Sequence, residues 1–413
     1  MLSTEAGPST VLAMNGGTVK TARAITAAAA AVTIALYTWW ITAHPSPQTT
    51  FGHDFASAVW GPIRGLAAGF NPYQPGDQGY LDATGQAVFG SLHAPSLLLA
   101  ASPLAVLEQG TAAIAWAAAS AVMMWAAAWI LMRPVDARSA TATITLGLVL
   151  TLAGPGDYLL RLGQVTAPVV LGLALLVRWP LRWAGAAGVA LMLVSPQIGI
   201  PMSILTVAAR CGRTVARGWV LTAALSLPVA IAAAVAAGGV GQFIRSIVDN
   251  LAWSSGDVNA RNRIDVAGVW GGGAWIDAAM LVVVVLVAVW WWRSGRQVDE
   301  VAVLGAVTLT VLAAFAMPYS LVIVVAAAWP VLWAGRRWAG VEWATAGLVA
   351  VCATQSLLLL EGLDPLVGWS VAGVWRLLAL LEHLTLLVLL VAVVVRLTRT
   401  GPDVAAPAGA AAG

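Results

Sequence analysis

The chain has 413 residues, of which 60% are apolar and only 9% carry charge, with a formal net charge of +3. A water-soluble globule of this length carries about 25% charged residues, so this surface is built to face something other than water. Nucleic-acid binding is excluded too, because it needs a basic face or run and the sequence contains neither. The mean hydropathy is +0.86. Apolar residues fall in blocks of roughly 15–25, the length that crosses about 30 Å of hydrocarbon at 1.5 Å per residue. A chain in lipid must satisfy its backbone groups internally, and no regular alternation suggests a barrel. The fold class expected is therefore all-α: a polytopic membrane bundle of about twelve helices with no sizeable soluble domain.

Residues 1–23 are polar and read as a disordered cytoplasmic arm, with Lys20 and Arg23 preceding the apolar run 24–41. A cleaved signal peptide would have a shorter apolar core, so this run is expected to stay as the first helix. The longest polar stretch, 44–93, follows and holds five prolines from Pro45 to Pro75. Apolar blocks then occupy 94–107, 111–132, 140–155, 165–177, 183–209 and 219–237. A second polar loop runs over 238–273. Further blocks cover 275–292, 298–316, 319–333, 341–360 and 374–395, and the Ala/Gly/Pro-rich tail 397–413 is expected to be disordered in the cytoplasm. Residues 24–396 thus form a single transmembrane domain.

Arginines mark one face. Arg210, Arg213 and Arg217, then Arg293, Arg296, Arg336, Arg337, Arg396 and Arg399, flank block ends and place those loops in the cytoplasm. Loops 44–93, 238–273, 317–319 and 361–373 then lie outside the cell membrane. The middle admits two readings. Either 94–107 is re-entrant and 183–209 crosses twice, or 94–107 crosses and 183–209 is one helix broken at Ser195-Pro196-Gln197. The second is preferred because it avoids two spans of roughly 13 residues, too short for the core. Tryptophan numbers 21 and gathers near block ends, as at Trp39-Trp40 and Trp290–Trp292, which is the interfacial aromatic belt. Cys211 and Cys352 have no neighbours at metal-ligand spacing and read as packing residues, so neither a metal nor a cofactor is expected.

Ionisable residues gather in the two long external loops. The first carries His53-Asp54-Phe55, then Trp60, Arg64 and Asn71-Pro72-Tyr73. Phe55, Val59, Trp60, Ile63, Leu66 and Ala67 follow helical spacing and suggest a short amphipathic stretch in the interface. An acid held there, partly desolvated, has a raised pKa and suits general-base work toward a hydroxyl; a solvated loop aspartate or a helix cap is the plainer reading. The second loop carries Arg245, Asp249-Asn250 and Trp253, then Asn259-Ala260-Arg261-Asn262-Arg263-Ile264-Asp265. Arginine and asparagine beside tryptophan suit phosphate and sugar hydroxyls, though composition alone also fits a hydrated loop. Gly163-Gln164 is read as packing or hydrogen bonding between helices. Glu382 and His383 lie inside the last apolar block, where an ionisable residue is a functional candidate unless it reaches Arg376 or other polar surroundings.

Several short motifs occur in a characteristic order. Asp54-Phe55, Arg64, Gly69 and Asn71-Pro72-Tyr73 come first, then His93-Ala94-Pro95-Ser96-Leu97 at a helix start. Gly163-Gln164, Ser195-Pro196-Gln197 and Met317-Pro318-Tyr319-Ser320 follow. Over 24–396 the chain resembles the actinobacterial polyprenyl-phosphate-sugar-dependent glycosyltransferases of the glycosyltransferase-C superfamily, the α-mannosyltransferase and arabinofuranosyltransferase family. The resemblance implies transfer of a mannose or arabinofuranose, on the outer face of the plasma membrane, from a polyprenyl-phosphate donor to a glycolipid or polysaccharide acceptor of the cell envelope. It implies Asp54 as the catalytic base, with inversion at the anomeric carbon. Arg64, Arg245, Arg261 and Arg263 are the candidates to neutralise the leaving phosphate. Tyr73 and Trp253 are candidates to stack on sugar faces, and His53, His93, Asn250, Asn259, Asn262 and Tyr319 complete the substrate-binding set. The chain departs from the family pattern at 93–96, at Thr166 and at Tyr319-Ser320, which marks a divergent member. A lipid-linked-sugar transporter or flippase is the competing reading, but it predicts internal repeats that are not evident. An inactive membrane scaffold is the other.

Overall fold

The computed structural model describes residues 16–43, 51–74, 90–254, 263–270, 274–295, 299–313, 316–334, 340–359 and 371–399. Among these, all regular structure is helical and no strand occurs. The all-α membrane architecture expected from composition is what the chain adopts. Its details differ in three places.

First, α1 (Gly16–Ala43) begins well before residue 24, so Lys20 and Arg23 lie on the helix rather than on a disordered arm. At the other end, the final helix passes through Arg396 to Arg399. Second, the segment after α1, expected to be an external loop, is helical: α2 (His53–Phe55), a π-helical turn (Ala56–Trp60) and α3 (Gly61–Ala67). Phe55, Val59, Trp60 and Ile63 are buried, as their spacing predicted, but against protein. The Phe55 ring stacks on Trp116 at 5.3 Å, and Trp60 Nε1 donates to the Leu107 carbonyl. Third, the stretch read as a second polar loop contains α12 (Val240–Ser254). Val240, Phe243, Ile244, Ile247, Val248 and Leu251 recur at three- and four-residue steps, the signature of an amphipathic helix, and low mean hydropathy hid it.

Between these lie α4 (Pro95–Ala101), which continues as a 3-10 turn (Ser102–Val106), α5 (Gln109–Met132), α6 (Ala137–Leu152), α7 (Gly154–Leu162) and α8 (Thr166–Arg178). Next come α9 (Trp183–Met192), α10 (Pro196–Ala208) and α11 (Gly212–Ala236), so the break expected at Ser195-Pro196 is present. After α12 follow α13 (Val266–Trp270), α14 (Ala274–Ser294), α15 (Glu300–Ala313), a 3-10 turn (Pro318–Ser320), α16 (Leu321–Ala334), α17 (Gly340–Leu359) and α18 (Val371–Arg399). About twelve crossings were expected; among the described residues five helices are long and apolar enough to cross a membrane. A sixth span is counted if α6 and α7, bent by 54°, act as one, and the other apolar helices are 10–17 residues long.

Burial sorts the helices. From Leu321 to Ala328 every residue of α16 is buried, and α15 is enclosed almost as fully. By contrast α1, α11 and α14 expose Val32, Leu227 and Leu286, faces suited to hydrocarbon. Apolar burial gives little drive between helices in lipid, so close packing of small residues has to supply it. Gly172 of α8 meets Gly188 of α9 in this way: a Cβ at Gly172 would lie 2.5 Å from the Gly188 carbonyl oxygen. Gly218 of α11 likewise receives Val189, where an added Cβ would lie 2.5 Å from the valine Cβ.

Candidate active site

Asp54 is held by glycine joints on both sides. Gly52 adopts φ 70°, and its N–H donates to the Arg161 carbonyl at 2.7 Å, tying the start of α2 to the end of α7. Opposite it, Gly163 closes α7 at φ 73°; a Cβ there would lie 2.6 Å from Phe55 Cβ. The Gly163 carbonyl in turn accepts from Trp116 Nε1 at 3.0 Å. Only residues without a Cβ tolerate a left-handed backbone at so close an approach. The result turns Gln164 toward α2, and its Nε2 donates to Asp54 Oδ2.

The carboxylate is partly buried, with His53 exposed beside it. Burial holds the Asp54 carboxyl above the usual carboxylate range, while the Gln164 hydrogen bond and the nearby His53 oppose that rise. Tyr158 of α7 and Tyr319 of the Pro318–Ser320 turn both lie within electrostatic reach of Asp54, and their rings sit 6.3 Å apart. A half-buried acid, an amide that orients it and two phenols form a compact polar site. Such a site can accept a proton from a hydroxyl and hydrogen-bond a polyhydroxylated substrate.

Sequence reasoning missed α7, which supplies Tyr158 and a second polar group. Asp157 accepts from the Tyr37 hydroxyl of α1 at 2.7 Å and pairs with Arg161 at 2.8 Å, and the Arg161 guanidinium covers the Trp40 ring at 4.3 Å. The signal was present: Pro155 at a helix start, Asp157 and Arg161 four apart, and Gly163 at the stop.

A second cluster gathers other residues named from the sequence. Tyr73 donates to the His93 carbonyl at 3.2 Å, and its ring lies edge-on to Phe243 of α12 at 5.5 Å. Asn250 donates to the Ser91 carbonyl at 3.1 Å. At 4% and 1% exposure, Tyr73 and Asn250 organise the join between the first loop and α12; a sugar does not reach the Tyr73 face. Burial pushes the His93 imidazole down to about 4, so it is neutral at pH 7. Arg64 is exposed over the Trp60 ring at 4.9 Å, and Arg245 is exposed on α12. The side chain of Trp253, and all of Asn259, Arg261 and Asn262, lie outside the described residues.

Arg263 has a different setting from the one expected of a phosphate-binding arginine. It is 3% exposed and pairs with Asp265 at 2.6 Å and Asp277 at 2.8 Å. Asp265 also accepts from the backbone N–H groups of Gly268 and Ala316, and Ile264 N–H donates to the Ala316 carbonyl. The 263–268 segment is thereby clamped to the strand of chain that leads into Tyr319. His383 completes the clamp: Nε2 accepts from Trp270 Nε1 at 3.0 Å, which leaves Nδ1 to donate to the Ile264 carbonyl at 2.9 Å. The intramembrane histidine is structural. Glu382 beside it is fully buried, with no hydrogen-bond partner among the described residues, and does not pair with Arg376 there. Among the described residues no cluster of three or more potential metal ligands occurs.

A family model for glycosyltransferase family 87 matches residues 92–318, more than half of the chain. The chain belongs to glycosyltransferase family 87. No curated protein and no solved structure matches it. The protein is thus a membrane glycosyltransferase of helical architecture. The matched residues include Gln164, Tyr158 and the Asp265 clamp, and stop just short of Tyr319. Asp54 precedes them, so its assignment rests on the geometry around it.

Proposed function

We propose that this glycosyltransferase moves a sugar from a polyprenyl-phosphate donor to a glycolipid or polysaccharide acceptor of the cell envelope, at the outer face of the plasma membrane. Asp54 is the general base. It takes the proton of the acceptor hydroxyl as that oxygen attacks the anomeric carbon, and the sugar–phosphate bond breaks with inversion. The phosphate leaves as an anion, so no strong acid is required and a nearby cation suffices. Of the arginines, Arg64 and Arg245 are exposed, whereas Arg161 pairs with Asp157 and Arg263 is occupied by two carboxylates. Tyr158 and Tyr319 hydrogen-bond the sugar or acceptor hydroxyls beside Asp54. His53, at the exposed rim, meets the incoming substrate.

One observation carries this reading. Asp54 is partly desolvated and aimed by Gln164, with Tyr158 and Tyr319 within electrostatic reach. The test is transfer from a radiolabelled polyprenyl-phosphate sugar to membrane acceptors, comparing wild type with Asp54→Asn. The asparagine keeps the size and the Gln164 contact but cannot take a proton, and its transfer rate is expected to fall by about 10²–10⁴. Equal transfer by both proteins removes Asp54 from the reaction. Absence of transfer by wild type with mannosyl and arabinofuranosyl donors removes the donor class.

A further inference from the structure

The apolar stripe at 55–67 packs against protein, and the interfacial character expected of it is found in α12. Two helices long and apolar enough to cross the membrane, α11 and α14, stand on either side of α12 in the chain, and both are mostly exposed. No apolar run of membrane length occurs between them. The 15 residues of α12 are themselves too few to cross, and Arg245 and Asp249 lie among them. Helix α12 therefore lies on the face of the membrane where α11 leaves it and α14 enters. Exposed Trp270 and Trp275, just before and within the first turn of α14, mark the same face as an aromatic belt. Gly238 and Gly239, at φ 82° and 139°, end α11: their N–H groups bond to the Val235 and Ala234 carbonyls, and α12 starts at once.

At 3.6 residues per turn, α12 has three faces. Phe243, Ile247 and Asn250 meet the protein, through the Tyr73 ring, the core and the Ser91 carbonyl respectively. Those contacts fix the rotation of the helix. Val240, Ile244, Val248 and Leu251 share a second face about 80° wide, and each is more than half exposed. Gln242, Arg245 and Asp249 share the third, on the side away from the aliphatic residues, and are exposed as well. The apolar face continues a surface already turned to hydrocarbon: exposed Leu227, Ile231 and Val235 lead along α11 to the turn, and exposed Val240 follows it directly. Arg245 is the polar residue next to that face, where its stem can lie along acyl chains and its guanidinium reach the headgroups.

We propose that α12 is an interfacial helix that binds the lipid surface. Val240, Ile244, Val248 and Leu251 lie among the acyl chains, and Gln242, Arg245 and Asp249 lie in the headgroup layer. The partner is the bilayer itself, so the interaction does not depend on which sugar is transferred or what accepts it.

The test reads the depth of each face. Single positions are changed to cysteine in a Cys211→Ser chain, with buried Cys352 left in place, and labelled with bimane. Each labelled protein is placed one copy per nanodisc, so that no second copy can cover the helix, and its unfolding temperature is compared with wild type. Phosphatidylcholine with a nitroxide on the acyl chain near the headgroup should quench Ile244→Cys and Val248→Cys about threefold or more strongly than Gln242→Cys and Asp249→Cys, since an interfacial helix buries its apolar face by about 5–10 Å. A nitroxide near the methyl end should quench Ile244→Cys and Val248→Cys less than the shallow one, and Leu227→Cys of α11 more. All four positions on α12 are exposed in the protein, so equal quenching of the two faces overturns the proposal. Unquenched Ile244→Cys and Val248→Cys beside a quenched Leu227→Cys overturn it in favour of a protein cover. Stronger quenching of Ile244→Cys and Val248→Cys by the deep nitroxide overturns the interfacial position.

Discussion

Gln164, at the break between α7 and α8, donates its side-chain N–H to the carboxylate of Asp54, 110 residues earlier in the chain. The bond has two effects of opposite sense. It fixes the direction of the carboxylate, and it stabilises the charged form against the burial that disfavours it. The amide therefore both aims the base and keeps it ionised.

Gln164→Leu separates those effects from simple damage. With the hydrogen bond gone, burial acts unopposed by it and the Asp54 carboxyl rises further above the ordinary range. The base works only when ionised, so activity falls as pH drops through that value. The acid limb of the rate profile should consequently move to higher pH in Gln164→Leu, and the plateau rate should fall about tenfold from lost orientation. A profile that keeps its wild-type limb would detach Gln164 from Asp54.

The two phenols are expected to differ from the base in degree. Tyr319→Phe and Tyr158→Phe keep the ring contact of 6.3 Å but remove one hydroxyl each. A hydrogen bond to a neutral substrate group amounts to about 0.5–1.5 kcal/mol, so each variant should lose roughly 2–12-fold in kcat/KM. Steady-state kinetics with a soluble acceptor would settle this, and an unchanged kcat/KM in both would place the phenols outside the substrate contact.

At Gly163 the expected damage is geometric. Alanine there puts a Cβ against Phe55 and strains a backbone at φ 73°, a penalty of about 1–2 kcal/mol. That is small against the stability of the bundle but moves α2. Gly163→Ala should retain its unfolding temperature within a few degrees while losing most transfer activity. Activity equal to wild type would show that the position of α2 is not set at this joint.

Asp265 is the converse case. Asp265→Ala leaves the buried Arg263 one carboxylate short and strips the acceptor from the N–H groups of Gly268 and Ala316. Breaking a buried pair costs about 3–5 kcal/mol. A marked drop in unfolding temperature in detergent is expected, and one equal to that of an exposed control such as Asp249→Ala would contradict the clamp.

Much of this architecture was legible because lipid imposes a simple rule on composition. The long apolar runs of α5, α11, α14 and α18 announce themselves, as does the Ser195-Pro196 break. Asp54 and Tyr319 were readable as chemistry from their place beside motifs, and the structure brings them together with Gln164. What escaped was amphipathic. The sequence of α7 and α12 carries apolar residues at helical spacing, but their mean hydropathy resembles that of a loop, so α12 falls in the polar loop 238–273 and most of α7 between the blocks 140–155 and 165–177. Arg263 was misleading for another reason: sequence shows a cation, whereas only the fold shows that Asp265 and Asp277 already neutralise it. His383 likewise lay too far along the chain, 113 and 119 residues from its partners Trp270 and Ile264, for any local pattern to reveal its task.

The 54° bend between α6 and α7 has a bearing on how an oily chain can carry charge at all. Continued straight, the helix would have driven Asp157 and Arg161 onward along an axis whose previous four turns are nearly all aliphatic or hydroxylic. Turning aside at Gly154-Pro155 swings that pair across to Tyr37 and Trp40 instead, and brings the neighbouring Tyr158 round to Asp54. Straightening this elbow would part the base from its phenol and strand an ion pair along the barrel of the bundle, so the kink should prove less tolerant of change than any of the long lipid-facing helices around it.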